Sequence, residues 1–341
     1  NIFTLDAEPL THMTAQAAGI MKGMLDRGFT TVRDAAGADW GLAQTVESGL
    51  LPGPRLFISG KALSQTGGHG DFRRRTQSFE PCACGNTLTN LTRVADGVSE
   101  VRRAARDELR KGANQIKVMV SGGVLSPNDP VDNKQYSAEE LSAIVEEAAA
   151  WHTYVLAHSY TPEAIIHAVG CGVRSIEHGN LIDQEAAAAM ADKDAFLVPT
   201  LAAYEATDRH GEELGLPDIA MEKLKIVLDR GLGAIEVAAE AGVRVGFGPD
   251  LLGATHHYQS LGLSIQAEAQ KAHGVIAAAT ATNAAILGCE GELGVIAPGA
   301  LADLLVVDGD PLQDLGLLDG QGEHLPAIMK GGQFHKNLLQ P

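Results

Sequence analysis

Four residues in the later part of the chain have the types and positions of a metal-dependent hydrolytic site. Lys117 interrupts the apolar run Ile116-Lys117-Val118-Met119-Val120. A charged ammonium is costly there, so its pKa should fall. A neutral amine can capture carbon dioxide as a carbamate, an anionic ligand whose two oxygens can bridge two metals. The competing reading is a lysine facing outward from a strand. His158 closes Val155-Leu156-Ala157-His158, and His178 closes Ser175-Ile176-Glu177-His178. Neutral imidazoles on adjacent strand ends can share a zinc ion, although a lone strand-end histidine is more often a hydrogen-bonded core residue. Asp250 follows Val245-Gly246-Phe247-Gly248-Pro249. Its carboxylate can bind metal and take a proton from water, or it can cap the next helix.

Two further residues are candidates for substrate binding. His69 ends Gly67-Gly68-His69 within the long stretch 61–90, which is expected to lie over the mouth of the site. It could orient substrate or be an ordinary loop histidine. Tyr160 stands two residues beyond His158. Its phenol could hold a substrate carboxylate, and packing would explain it equally well. Arg73-Arg74-Arg75 reads as a solvated run, with an inward turn of one member as the lesser alternative, and His256-His257 as rim residues or, more often for such pairs, unconstrained loop histidines. Ser121-Gly122-Gly123 is no phosphate loop, because the lysine precedes it and no Gly-Lys-Ser/Thr follows.

Positioning these residues requires strands. Short runs rich in β-branched residues occur at 29–34, 55–59, 115–120, 153–158, 173–178, 195–200 and 243–248, alternating with helical patterns. Ser137-Ala138-Glu139-Glu140 is a capping box, and Thr161-Pro162-Glu163 sets an N-cap before a first-turn proline. Cys171-Gly172-Val173 and Ala241-Gly242-Val243 are helix stops leading into strands. The pattern predicts an α/β chain, a (β/α)8 TIM-type barrel whose active residues sit at the C-terminal strand ends. Seven strands do not close such a barrel. The helical patterning at 14–27, ahead of the first run, places the expected first strand upstream of Asn1. An open doubly wound sheet is the alternative. After Ala297-Pro298-Gly299 the runs look antiparallel, which divides the chain into a hydrolase barrel over 1–290 and part of a small β subdomain over 291–341.

Composition narrows the partners. The 341 residues carry 26 Lys plus Arg against 43 Asp plus Glu, a net charge of −17, which repels phosphate backbones and argues against nucleic acid. No charge-poor apolar run reaches the roughly 18 residues of a membrane span. The four cysteines do not form a disulfide scaffold, and Cys82-Ala83-Cys84 lacks the second pair of a zinc ribbon. The expectation is a cytoplasmic protein, compatible with a targeting segment before Asn1, acting on a small molecule and free to form homo-oligomers.

The order Lys, His, His, Asp on the fourth, fifth, sixth and eighth strands resembles the amidohydrolase superfamily. Gly28-Phe29-Thr30-Thr31-Val32-Arg33-Asp34, Gln65-Thr66-Gly67-Gly68-His69, Ile116-Lys117, Ser121-Gly122-Gly123 and Ile176-Glu177-His178-Gly179-Asn180 look like its imidazolonepropionase-related branch, which contains Xaa-Pro dipeptidases. Gly294-Val295-Ile296-Ala297-Pro298-Gly299 with Ala302-Asp303 is similar to that family's return to its β subdomain. The resemblance implies two divalent metals, zinc by expectation, bridged by carboxylated Lys117 and hydroxide. His158 and His178 would hold one metal and Asp250 the other. Hydroxide would attack an amide carbonyl, and Asp250 would pass the proton to the leaving amine. Xaa-Pro dipeptides are the first expected substrates. N-acyl amino acids or aryl amides, including ochratoxin-like amides, come next, then deamination; a degenerate barrel serving as a binding subunit is the non-enzymatic reading. Two departures stand out. The family's His-x-His has no match here, since His12 is isolated, and Gly248-Pro249-Asp250 replaces the more usual Gly-Thr-Asp.

Overall fold

The computed structural model describes residues 8–73, 91–126 and 129–339. Parallel strands and helices alternate through most of them. β1 (Thr31–Arg33) and β2 (Arg55–Phe57) pair in parallel, with Val32 opposite Leu56. A second parallel sheet contains β3 (Ala62–Ser64), β4 (Thr92–Val94), β5 (Ile116–Met119), β6 (Val155–Ser159), β7 (Ser175–His178), β8 (Phe196–Val198) and β9 (Arg244–Val245). Its order is β4-β3-β5-β6-β7-β8-β9.

β2 and β3 are consecutive pieces of one line of chain, broken at Gly60, whose φ of +64° suits glycine. The Ile58 carbonyl still accepts from the Asn114 amide (2.7 Å) and the Phe57 carbonyl from Gln115 Nε2 (3.0 Å). The two parallel sheets are therefore laced together beside β5. β3 lies at the start of the stretch 61–90 expected to be a loop, and β4 lies just beyond its end. Three residues each are too few for a periodic signal, and pairing to one another and to β5 makes them strands.

Helices fill the connections: α1 (Leu10–Asp26), α2 (Trp40–Glu47), α3 (Val98–Arg110), α4 (Ala138–Ala150), α5 (Pro162–Gly170), α6 (Gln184–Asp192), α7 (Leu201–His210), α8 (Asp218–Leu228) and α9 (Gly231–Glu240). The Ser137 capping box opens α4, and Thr161 with Pro162 opens α5, as the sequence predicts. Gly172 and Gly242 adopt φ of +97° and +82° at the helix stops. α1 begins earlier than its pattern suggested and takes in His12, an exposed residue bonded to Glu8.

Strand alternation sorts the side chains into two faces. Ile116, Val118, Val120, Val155, Ala157, Ile176, Leu197 and Val245 pack against helix residues such as Ala104, Ile144, Ile165, Ala187 and Ile235. Each fully buried Ile or Leu there contributes roughly 1.5–3 kcal/mol. Lys117, Met119, His158 and Glu177 belong to the opposite parity and face the interior. There Arg33 of β1 reaches Glu177 of β7, with Nη2 2.8 Å from Oε2 and Nη1 donating to Ser175 Oγ at 3.0 Å. These strands are not sheet neighbours, so the sheet must curl to bring them together.

A separate antiparallel sheet follows, β10 (Leu304–Val306), β11 (Ala327–Lys330) and β12 (Gln333–Asn337), in that order. Arg55–Asp303 (3.0 Å), Lys330 Nζ to the Gly53 carbonyl (2.7 Å) and His335–Asp26 (2.7 Å) tie it to the rest.

Removing one partner of the Arg33–Glu177 pair leaves a buried charge uncompensated. Arg33→Met is expected to cost about 3–5 kcal/mol of stability, with much of it recovered by adding Glu177→Gln. Urea denaturation midpoints of the three proteins check this.

Candidate metal and substrate site

β5, β6 and β7 carry the central side chains. Met119 lies opposite His158, and Ser159 opposite His178, which sets Lys117 and the two histidines at one end of adjacent strands. The imidazole centroids of His158 and His178 are 4.5 Å apart. Each ring is held through one nitrogen. His158 Nε2 lies 3.1 Å from the Gly122 carbonyl, which makes it the donor and leaves Nδ1 with its lone pair. His178 Nδ1 lies 2.6 Å from Thr200 Oγ1 and 2.9 Å from the Tyr204 hydroxyl, which leaves Nε2 toward Asp250 Oδ2 at 3.9 Å. Burial holds both imidazoles well below their ordinary pKa, and the facing Lys117 and His69 push the same way. Neutral rings with one anchored nitrogen are the form in which histidine binds metal.

Lys117 is buried and makes no hydrogen bond or ion pair among the described residues. Burial lowers its pKa, Glu177 and Asp250 oppose that shift, and Arg33 adds to it. Asp250 does not cap a helix: the next helical turn, Gly253–Tyr258, begins after Leu252. Asp250 and His178 have φ of +51° and +80°, a left-handed conformation that costs a non-glycine residue on the order of 1–3 kcal/mol. Burial raises the Asp250 carboxyl to about 6, with Lys117 pulling it down and Glu177 pushing it up. Solvent reaches 45% of its side chain, which tempers these effects. Asp34, at the end of β1, is likewise raised to about 6 by burial, which outweighs the lowering by hydrogen bonds from the backbone N–H groups of Ala38 and Ala36, and repulsion from Asp250 adds to the rise.

His69 stacks on His158 with centroids 4.2 Å apart and planes 17° from parallel. Its Nδ1 lies 2.8 Å from Ser126 Oγ and 3.8 Å from Asp129 Oδ2. Burial lowers its pKa to about 4 despite Asp129. The Gly122-Gly123 pair has its reason here: a Cβ on Gly123 would run into the His69 ring, and one on Gly122 into the Pro130 carbonyl. Lys223 of α8 holds the same loop, donating to the carbonyls of Gly123 (3.2 Å), Ser126 (2.7 Å) and Asp129 (2.5 Å).

Tyr160 is buried, stacked on His178 and edge-on to His158, each at 5.0 Å between centroids. Its hydroxyl is 3.3 Å from that of Tyr204. Sequence reasoning passed over Thr200 and Tyr204. The available signal was a polar residue ending the run 195–200, with a tyrosine one helical turn further on. Arg73 is not solvated: it forms a double contact with Asp71 and is 9% exposed. Arg74, Arg75, Cys82 and Cys84 lie outside the described residues. His256 and His257 bond the carbonyls of Gly253 and Ala254, and His210 bonds Tyr258.

Among the described residues, no three His, Cys, Asp or Glu side chains converge closely enough to hold a cation by themselves. The free nitrogens of His158 and His178, the unpaired Lys117 amine and the Asp250 carboxylate nonetheless suit divalent metal as a donor set. No described helix is long and apolar enough to cross a membrane.

Parallel sheet, antiparallel C-terminal sheet and strand-end donors together define a class, and the profile of the amidohydrolase family matches residues 6–333; the chain belongs to that family and is an enzyme of prolidase-like type. A crystal structure of a prolidase complexed with N-methylphosphonate-L-proline is 50% identical, with a TM-score of 0.96 over 99% of this chain and 83% of that one. Ochratoxinase of Aspergillus niger is 33% identical over 340 residues, 96% of this chain and 70% of its own. A Xaa-Pro dipeptidase with methionine bound in its active site is 30% identical, with a TM-score of 0.83 over 96% of this chain and 80% of that one.

Because folding raises the Asp250 pKa from 3.8 to about 6, the protonated carboxyl favours the fold below about pH 4, and that contribution is lost as pH rises through 6. In metal-free protein, the stability of the parent relative to Asp250→Asn should therefore fall between about pH 4 and 6. Urea midpoints across that range report it, and a difference that stays flat or rises counts against the assignment.

Proposed function

We propose that this chain is a metal-dependent amide hydrolase acting on peptide-like substrates with a free carboxylate, Xaa-Pro dipeptides first. Lys117, carboxylated, with His158, His178 and Asp250 would supply the later part of a site for two divalent metals, zinc by preference. The observation that carries this reading is the pair of anchored imidazoles, each with its other nitrogen free at the end of adjacent strands. The described parallel strands would take seven positions of an eight-stranded barrel, counting β2 and β3 as one and β4 as a flanking strand. Residues 1–290 would belong to its hydrolase body and 291–341 to the β subdomain.

When bound, the metals supply Lewis acidity and bring the pKa of water toward neutrality. Asp250 takes the proton of the attacking water as the new C–O bond forms. It then delivers that proton to the amide nitrogen as the C–N bond breaks, so the amine leaves neutral. Tyr160 and His69 orient the substrate. Burial raises the Tyr160 phenol above its ordinary range, which keeps it a donor able to meet a carboxylate.

The likeness to ochratoxinase favours a second reading, hydrolysis of an N-acyl amino acid or aryl amide by the same residues. Screening zinc-loaded protein on Xaa-Pro dipeptides and N-acyl amino acids separates the two, and lack of any Xaa-Pro turnover overturns the first. Asp250→Asn should lower kcat by about 10²–10⁴. Tyr160→Phe should mainly raise KM, by about five- to tenfold. Chelation should abolish activity and zinc should restore it, with two metals per chain by elemental analysis.

A further inference from the structure

Tyr204, on α7, reaches toward both halves of the proposed site. Its hydroxyl lies 2.9 Å from His178 Nδ1, 3.0 Å from Thr200 Oγ1, 3.0 Å from Asn180 Oδ1 and 3.3 Å from the Tyr160 hydroxyl. A phenol has one proton to donate. A consistent ordering starts at His178 Nδ1–H, which donates to Thr200; Thr200 donates to Tyr204, and Tyr204 donates to either Asn180 or Tyr160. Asn180 is itself fixed by donating to the Val227 carbonyl at 2.9 Å.

We propose that Tyr204 is a positioning residue that couples carboxylate binding at Tyr160 to the orientation of the metal-binding ring of His178. When Tyr160 donates its hydrogen bond to a substrate carboxylate, its oxygen becomes the better acceptor and draws the Tyr204 hydrogen bond away from Asn180. Thr200 then hydrogen-bonds a more polarised Tyr204 oxygen, and His178 is held more firmly with Nε2 toward the site. This rests on the hydrolase reading above, but its geometry involves only residues of this chain. Tyr204 packs beside Val124, Val131, Leu224 and Val227, so Tyr204→Phe removes the hydroxyl and leaves the apolar contacts in place.

The test uses cobalt-loaded full chain, with cobalt release to EDTA followed by absorbance and dipeptide kinetics measured on L-alanyl-L-proline. Tyr204→Phe should speed cobalt release or weaken cobalt binding about tenfold and shift the visible cobalt band. It should also raise KM about fivefold, and that rise should vanish in a Tyr160→Phe background, whereas Tyr160→Phe by itself should leave cobalt release at the parent value. Unchanged release with an additive KM effect overturns the coupling. If Tyr204→Phe does not fold, Thr200→Val breaks the same chain one step earlier and should speed release alone; release at the parent rate then overturns it. A parent that turns over no dipeptide or N-acyl amino acid refutes the hydrolase reading, while cobalt release still reports on Tyr204.

Discussion

The interior of the curled sheet has to hold charges that water cannot reach, and most of the architecture follows from how they are balanced. Arg33, Glu177, Lys117 and Asp34 face that interior, and Asp250 stands at its edge with 45% of its side chain open to solvent. An isolated buried charge costs several kcal/mol, whereas a paired and hydrogen-bonded one is tolerated. Arg33 and Glu177 meet that requirement together, with Ser175 bonded to both. Because they come from β1 and β7, their pairing fixes the curvature as well as the charge. Lys117 is left without such a partner, which is the condition under which an amine gives up its proton and becomes available for other chemistry.

Orientation of the imidazoles is settled from outside their own strands. His158 is fixed by the Gly122 carbonyl, on a loop that Lys223 holds through three carbonyls from α8. His178 is fixed by Thr200 and Tyr204, from the end of β8 and from α7. In both cases the strand delivers the ring and a distant segment chooses the nitrogen it presents. The left-handed backbone at His178 and Asp250 belongs to the same arrangement: local strain is retained where the surrounding contacts over-determine the conformation.

Sequence patterns located most of the parallel strands because apolar runs a few residues long, punctuated by glycine and caps, are local signals. β3 and β4 escaped notice because three residues carry no period and their status depends on partners far along the chain. Arg73 looked solvated because a triple-arginine run has no visible partner, yet Asp71 stands two residues away. By residue type Asp250 also suits a helix cap; its backbone conformation and the later start of the next turn remove that role.

The sequence by itself determined the family, the alternation of strands and helices, and the residue types that end the strands, because these depend on short-range spacing and strand parity. Only the tertiary structure decided which imidazole nitrogens are free, why Gly122 and Gly123 cannot carry side chains, and that Thr200 and Tyr204 stand behind His178. Those facts rest on contacts between segments up to about 100 residues apart, and a hydrogen bond between such segments leaves no trace in local spacing.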